Sequence, residues 1–311
     1  MNDILLLILG FVFLFIGGKY LVTGSVQIAK LFKVPTLVIG LTIVAFGTSA
    51  PELLVSLKAA LSGHPDISVG NVVGSNISNI ALVLGLTAII FPIPVSRKLI
   101  KFDWPVMMGL SIIFYVFSLN GILKWWEGLF FVGAIVVFNL YSVHKGRKSN
   151  KNEENGVNSE KNTAWYISTV IIVASSITLV LGANWLVIGA SGLARSFGIG
   201  ERVISVSIIA FGTSVPELAT SIVAALRKET DISIGNIIGS NIFNIAGILG
   251  ITALVKPIGV NEKIITSDLI WMLGITLLLF ILMLGKKGRL TRWSGAILLL
   301  SYSLYIYFLL K

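Results

Sequence analysis

Apolar runs of about 20 residues follow one another along the chain, each long enough to cross roughly 30 Å of hydrocarbon. Their limits predict spans at 4–29, 36–61, 67–92, 102–120, 127–143, 165–190, 203–226, 232–255, 267–284 and 293–310. None shows the apolar-polar alternation in segments of about ten residues that a lipid-facing barrel strand requires. The pattern therefore predicts an all-α membrane protein with ten transmembrane helices. The first run begins at Ile4 directly after Asp3, without a basic leader or a small-residue cleavage site, and reads as a retained helix. Between the fifth and sixth spans lies the one strongly polar segment, His144 to Asn162, rich in Lys, Asn and Glu. It reads as a linker over 144–164 between two halves, 1–143 and 165–311.

Those halves are copies. Ala45 to Ser56 reads AFGTSAPELLVS and Ala210 to Ser221 reads AFGTSVPELATS. Likewise DISVGNVVGSNISNI from Asp66 falls on DISIGNIIGSNIFNI from Asp231, with an offset of 165 residues in both cases. The same offset pairs Gly17 with Gly182, Gly24 with Gly189 and Asp103 with Asp268, and is expected to hold throughout. An odd number of spans per half makes the second half enter the bilayer upside down. The expectation is two inverted five-helix repeats.

Composition agrees with a membrane protein: 55% hydrophobic, 12% charged, mean hydropathy +0.93. The net charge of +10 has a topological explanation. With the N-terminus outside, 16 of the 24 Lys and Arg residues fall in inner loops, which favours both termini outside and the linker inside. Nucleic-acid binding is not needed to account for the charge. Cysteine is absent, which excludes disulfides, thiolate metal sites and cysteine catalysis.

Two acidic residues stand apart, Glu52 and Glu217, in the middle third of their spans; the others are placed in loops or at span ends. An ionisable residue at such depth costs about 2.5 to 3.5 kcal/mol on insertion scales unless something compensates. A cation would compensate. Pro51 and Pro216 interrupt each helix one residue earlier, freeing carbonyls and directing a half-helix N-terminus toward the carboxylate. Thr48, Ser49, Thr213 and Ser214 add hydroxyls at the breaks. This hard-oxygen set suits calcium, sodium or magnesium and is poor for zinc or copper. The two histidines, His64 and His144, are expected in loops. A purely structural role exists as well, because S-x-P-E fits a helix capping box.

The following helix of each half adds a polar stripe at i, i+4, i+8: Asn71, Ser75 and Asn79, and Asn236, Ser240 and Asn244. Ser75, Asn79, Ser240 and Asn244 read as ligands or their supports. Gly70, Gly74, Gly235 and Gly239 read as helix-packing positions, and Asn76 and Asn241 as interhelical bonds. Lys19, inside the first span without a charged repeat partner, reads as snorkelling. Trp125, Trp126, Tyr302, Tyr305 and Tyr307 read as interfacial residues. Asp103 and Asp268 read as helix N-terminal charges.

With GTSAPE and GNVVGSNISN matched by GTSVPE and GNIIGSNIFN, the chain resembles the cation/calcium antiporter superfamily, in particular its prokaryotic sodium/calcium exchanger-like branch. The resemblance implies that the motif regions 45–80 and 210–245, the alpha repeats, line a central ion site. It implies antiport of calcium against sodium in the cell membrane by alternating access, with no cofactor, no enzymatic activity and no inferable protein partner beyond the lipid bilayer. It carries over Glu52 and Glu217 as acidic ligands, and Ala45, Thr48, Ser49, Ser75, Ala210, Thr213, Ser214 and Ser240 as carbonyl or hydroxyl ligands, with Asn79 and Asn244 at the centre. Potassium-dependent relatives have aspartate at the position of Asn244, so this chain departs from them. The short linker leaves no room for a large cytosolic sensing domain. Proton-coupled calcium exchange is the nearest alternative; an intramembrane hydrolase, for which no Ser-His set is present, and a passive channel are further ones.

Overall fold

A computed structural model describes residues 2–150, 164–198, 210–285 and 288–310. The chain there is helical: α1 Asp3–Phe32, α2 Thr36–Thr48, α3 Ala50–Leu61, α4 Pro65–Ile90, α5 Leu99–Ser118, α6 Trp125–Asn150, α7 Trp165–Ser196, α8 Val215–Leu226, α9 Thr230–Val255, α10 Ile264–Met283 and α11 Arg292–Leu310. Seven of them are long and apolar enough to cross a membrane, or eight if the bent pair α2 and α3 counts as one span. The predicted span 203–226 begins outside the described residues; its described part holds a helical turn, Ala210–Gly212, and α8. Many large apolar side chains, such as Ile8, Phe11 and Phe15 on α1, are exposed, as lipid-facing helices require.

The polar segment starts later than its composition suggests. His144 to Asn150 continue α6 as helix, with Arg147 and Lys148 in its last turn, where cations favour the negative helix end. His144 is therefore helical, and the onset of polarity there is not the end of the helix. Residues 151–163 of the predicted linker lie outside the described set.

Element boundaries repeat with the sequence offset: α3 maps onto α8, and α5 onto α10, each displaced by 165 residues at both ends. Stretches of π-helix repeat too, Ser78–Leu84 with Phe243–Leu249 and Leu99–Asp103 with Ile264–Asp268. Wide turns of this kind carry no local sequence signal. The offset does change once. Two-residue strands form at Ile93–Pro94 (β1), Ile122–Leu123 (β2), Ile258–Gly259 (β3) and Arg289–Leu290 (β4), and β2 to β4 is a step of 167. The loop before β4 is two residues longer than its counterpart, so Gly128 corresponds to Gly295. The constant register expected from the sequence fails there.

The chain packs as two compact units, which are not its sequence halves: residues 1–48 with 139–236, and 49–138 with 237–311. In the first unit α1 and α7 run antiparallel along a glycine seam. A Cβ on Gly10 would lie 2.6 Å from the Leu186 nitrogen, and one on Gly189 would lie 2.6 Å from the Asp3 carbonyl. Gly17 meets Ser175 and Leu179, while Gly182 meets Gly10 and Leu14, which are the repeat mates of those two residues. Such reciprocity is what a two-fold relation produces. Gly40 of α2 and Gly235 of α9 also bring backbones together, with an added Cβ on Gly235 only 2.8 Å from the Leu37 carbonyl. At Gly70 and Gly74, read as packing positions like Gly235, an added Cβ would meet nothing within 4 Å among the described residues.

In the second unit β1 pairs with β4 and β2 with β3, both antiparallel, so repeat mates again exchange partners. Close approaches of Gly85 to Gly295 and of Gly128 to Gly250 follow the same exchange. The hydropathic windows of α4 and α9 are 72% and 83% buried, against 28–39% for the other five long spans. The two helices that carry the polar stripes are thus the most buried of the seven long spans.

Lys19 is exposed, and its carbonyl accepts a hydrogen bond from Arg227 Nη1 at 3.1 Å, the same nitrogen donating to Thr23 Oγ1 at 2.6 Å. Arg227 directly follows α8, so Lys19 lies about one turn from the level where a neighbouring helix ends. A 30-residue helix spans about 45 Å, more than the hydrocarbon thickness. Tyr305 is buried, and its hydroxyl donates to Asp268 Oδ1 at 3.4 Å, tying α11 to α10.

Candidate cation-binding site

Both helix breaks have the same geometry. Ser49 (φ −89°, ψ 7°) and Ser214 (φ −88°, ψ 1°) leave the helical region, each followed by a helix with proline in its first turn. Across Ser49 the axis turns by 47°. Neither serine side chain makes the N-cap hydrogen bond that a capping box needs. Glu52 and Glu217 occupy the first turns of α3 and α8, where the positive helix end favours an anion, and both are fully buried.

In the first unit the last turn of α2, with Ala45 and Thr48, packs against α8, which carries Glu217. Thr48 and Ser214 are fully buried, Ala45 nearly so, and Thr213 is half-buried. Ala210 lies in the short helical turn before the break. The Thr48 hydroxyl donates to Asn236 Oδ1 at 3.1 Å, and Asn236 Nδ2 donates to Ser221 Oγ at 3.2 Å. Ser233 Oγ donates to the Ser221 carbonyl at 2.9 Å, closing a clamp between α8 and α9.

The second unit holds Ser49, Glu52, Ser75, Asn79, Ser240 and Asn244, all buried. There α3 and the first part of α4 pack on the π-helical stretch of α9 that contains Asn244. The clamp recurs with the repeat mates: Asn71 Nδ2 donates to Ser56 Oγ at 2.9 Å and to the Glu52 carbonyl at 3.3 Å, and Ser56 Oγ donates to the Ser68 carbonyl at 3.3 Å. In each unit the clamp fixes a glutamate-bearing helix to the next one. Removing its central hydroxyl, as in Ser221→Ala, leaves a buried amide hydrogen unpaired and should lower stability by about 1 kcal/mol. Thermal unfolding of the purified variant in detergent checks this.

Sequence reasoning placed Asn71 and Asn236 on the stripes but not among the site residues; their i, i+4, i+8 spacing was the available signal. It also put every acid except Glu52 and Glu217 in a loop or at a span end. Asp103 is fully buried inside α5, because that helix begins at Leu99 in a π-helical stretch. Glu127 is buried as well, its Oε2 accepting the Lys124 backbone N–H at 2.7 Å as a helix-start bond. Asn241 does not bond between helices among the described residues: its Nδ2 turns to the Ile237 carbonyl of its own helix at 2.7 Å.

Apolar helices with a fully buried carboxylate beside a break in each of two matched segments define an integral membrane protein of the ion-handling kind. The chain belongs to the sodium/calcium exchanger family: the family model described as "Sodium/calcium exchanger protein" matches residues 2–144 and 167–311. It is 38% identical over 308 residues to the putative antiporter CaxA of Alkalimonas amylolytica, covering 97% of both chains. It is 31% identical to the sodium/calcium exchanger MaX1 of Methanosarcina acetivorans, covering 98% of this chain and 97% of that one. Among solved structures, the sodium-calcium exchanger NCX_Mj soaked with zero Na+ and Ca2+ superposes with a TM-score of 0.84 at 33% identity, covering 99% of this chain and 98% of that one.

Proposed function

We propose that this protein is a secondary antiporter that exchanges calcium for sodium across the cell membrane by alternating access. Its ten spans form two inverted five-helix repeats, residues 1–143 and 165–311, joined by a cytoplasmic linker, with both termini outside. Support for inversion comes from the antiparallel course of the repeat mates α1 and α7. Glu52 and Glu217 are the acidic ligands of the transported cation. Thr48, Ser49, Thr213, Ser214, Ser75 and Ser240 supply hydroxyl oxygen, Ala45 and Ala210 carbonyl oxygen, and Asn79 and Asn244 amide oxygen.

The observation that carries this reading is the burial of both glutamates immediately after matched helix breaks. Two ionised carboxylates hold two negative charges, which one calcium ion neutralises and which several sodium ions also neutralise. Occupancy by one species excludes the other. An empty site retains more buried negative charge than a loaded one and opposes closure, so the carrier changes face only when loaded. Transport moves ions without making or breaking covalent bonds, and calcium and sodium are substrates, not cofactors.

In proteoliposomes loaded with sodium and diluted into sodium-free medium, calcium uptake should rise at least tenfold over vesicles without a sodium gradient. An imposed proton gradient at fixed membrane potential should drive none. Uptake driven by protons alone would replace sodium with protons in the cycle, and uptake without any counter-ion would make the protein a channel.

A further inference from the structure

One amide in the second unit is held in a fixed orientation. Asn244 Nδ2 donates to Asn76 Oδ1 at 3.1 Å, while Asn244 Oδ1 has no hydrogen-bond partner among the described residues. Asn76 in turn donates its own Nδ2 to Met272 Sδ at 3.6 Å, which leaves its oxygen as the end facing Asn244. All three residues are buried. The chain of bonds runs from α10 through α4 to the π-helical stretch of α9.

The two ends of an asparagine amide are nearly the same size but opposite in chemistry, an acceptor oxygen and a donor NH2. Their orientation is set by the hydrogen-bond network. A hard cation binds only the oxygen. With its NH2 engaged by Asn76, Asn244 has its oxygen free to serve as a ligand. The repeat mates lack this arrangement: Asn79, the mate of Asn244, has neither side-chain atom hydrogen-bonded among the described residues, and Asn241, the mate of Asn76, is turned to its own backbone. The two halves therefore share residue types but not amide orientation.

We infer that Asn76 is a positioning residue for ion binding, which holds Asn244 with its carbonyl oxygen outward as a neutral ligand and keeps its NH2 away from the cation. The inference rests on the proposed function, in which Asn244 is a ligand of the transported ion. It assigns to Asn76 a role that its place off the polar stripe does not suggest. Met272 supports that role at one remove.

The test is a double-mutant cycle read as the calcium KM of sodium-driven uptake in proteoliposomes. Asn76→Leu should raise the KM by about tenfold, the lower range for loss of a group that orients a metal ligand. Asn76→Asp retains an oxygen acceptor and should keep the KM within about threefold of the parent. An aspartate at position 244 presents oxygen at both ends, so in the Asn244→Asp background Asn76→Leu should change the KM less than about twofold. An equal loss in both backgrounds would reduce Asn76 to a packing residue, and an unchanged KM in the Asn76→Leu single variant would overturn the inference directly. Met272→Leu, which keeps the packing volume, gives a gentler version with an expected rise of about two- to threefold; it decides the matter if Asn76→Leu does not fold. A calcium KM unaffected by Asn244→Leu would instead remove Asn244 from the ligand set and so refute the underlying reading.

Discussion

Replacing Glu217 or Glu52 by glutamine is expected to reduce sodium-driven calcium uptake by at least about 100-fold, while the thermal unfolding midpoint of the purified protein stays the same or rises. The two halves of this expectation have one cause. A glutamate that is fully buried carries a desolvation cost, of the order of 2.5 to 3.5 kcal/mol on membrane insertion scales, which a bound cation offsets. Glutamine has almost the same shape, keeps one oxygen and carries no charge, so the packing around α3 or α8 survives and the desolvation cost falls. Under the proposed function, cation binding loses one of two negative charges and becomes too weak to support a cycle in which the loaded site must be neutral to close. A residue of merely structural value would show the reverse, a loss of stability with transport retained in proportion to folded protein. Normal flux through either glutamine variant would remove that carboxylate from the ligand set.

The residues behind this expectation were legible in the sequence for a simple reason. A carboxylate within 20 apolar residues is conspicuous, and finding it twice at one offset singles out the position. Helix breaks were legible too, since proline cannot supply an N–H and Pro51 and Pro216 sit where each helix restarts. What stayed hidden depends on contacts between distant segments or on backbone forms that any residue adopts. The π-helical stretches placed Asp103 inside a helix where composition put it at a boundary. The burial of Tyr305 and its bond to Asp268, 37 residues away, have no local signal either. The bond from Thr48 to Asn236 joins residues 188 apart, so no local pattern could announce it. The division into units is equally nonlocal, because each unit takes segments from both sequence halves.

Placing a larger residue in the glycine seam of the first unit should have the greatest effect on folding. Gly10 and Gly182 stand at a crossing where a Cβ on the first would lie 2.6 Å from the Leu186 nitrogen and one on the second 2.9 Å from the Leu14 nitrogen. Those neighbours are backbone atoms, which cannot swing aside as a side chain does, so α1 and α7 must separate. Overpacking of this kind costs about 1 to 3 kcal/mol per site and more where two helices move together. Between membrane helices, where lipid tails are as apolar as leucine, close backbone contact is itself a main source of association. Gly10→Leu combined with Gly182→Leu should therefore cut the yield of monodisperse protein in detergent at least about fivefold. The control is the repeat-related pair Gly109 and Gly274, mid-helix glycines with nothing within 4 Å of an added Cβ among the described residues. Alanine there should be neutral or stabilising by up to about 1 kcal/mol, since it removes only the helix penalty of glycine. If both pairs respond alike to substitution, helix propensity governs the yield and the seam does not.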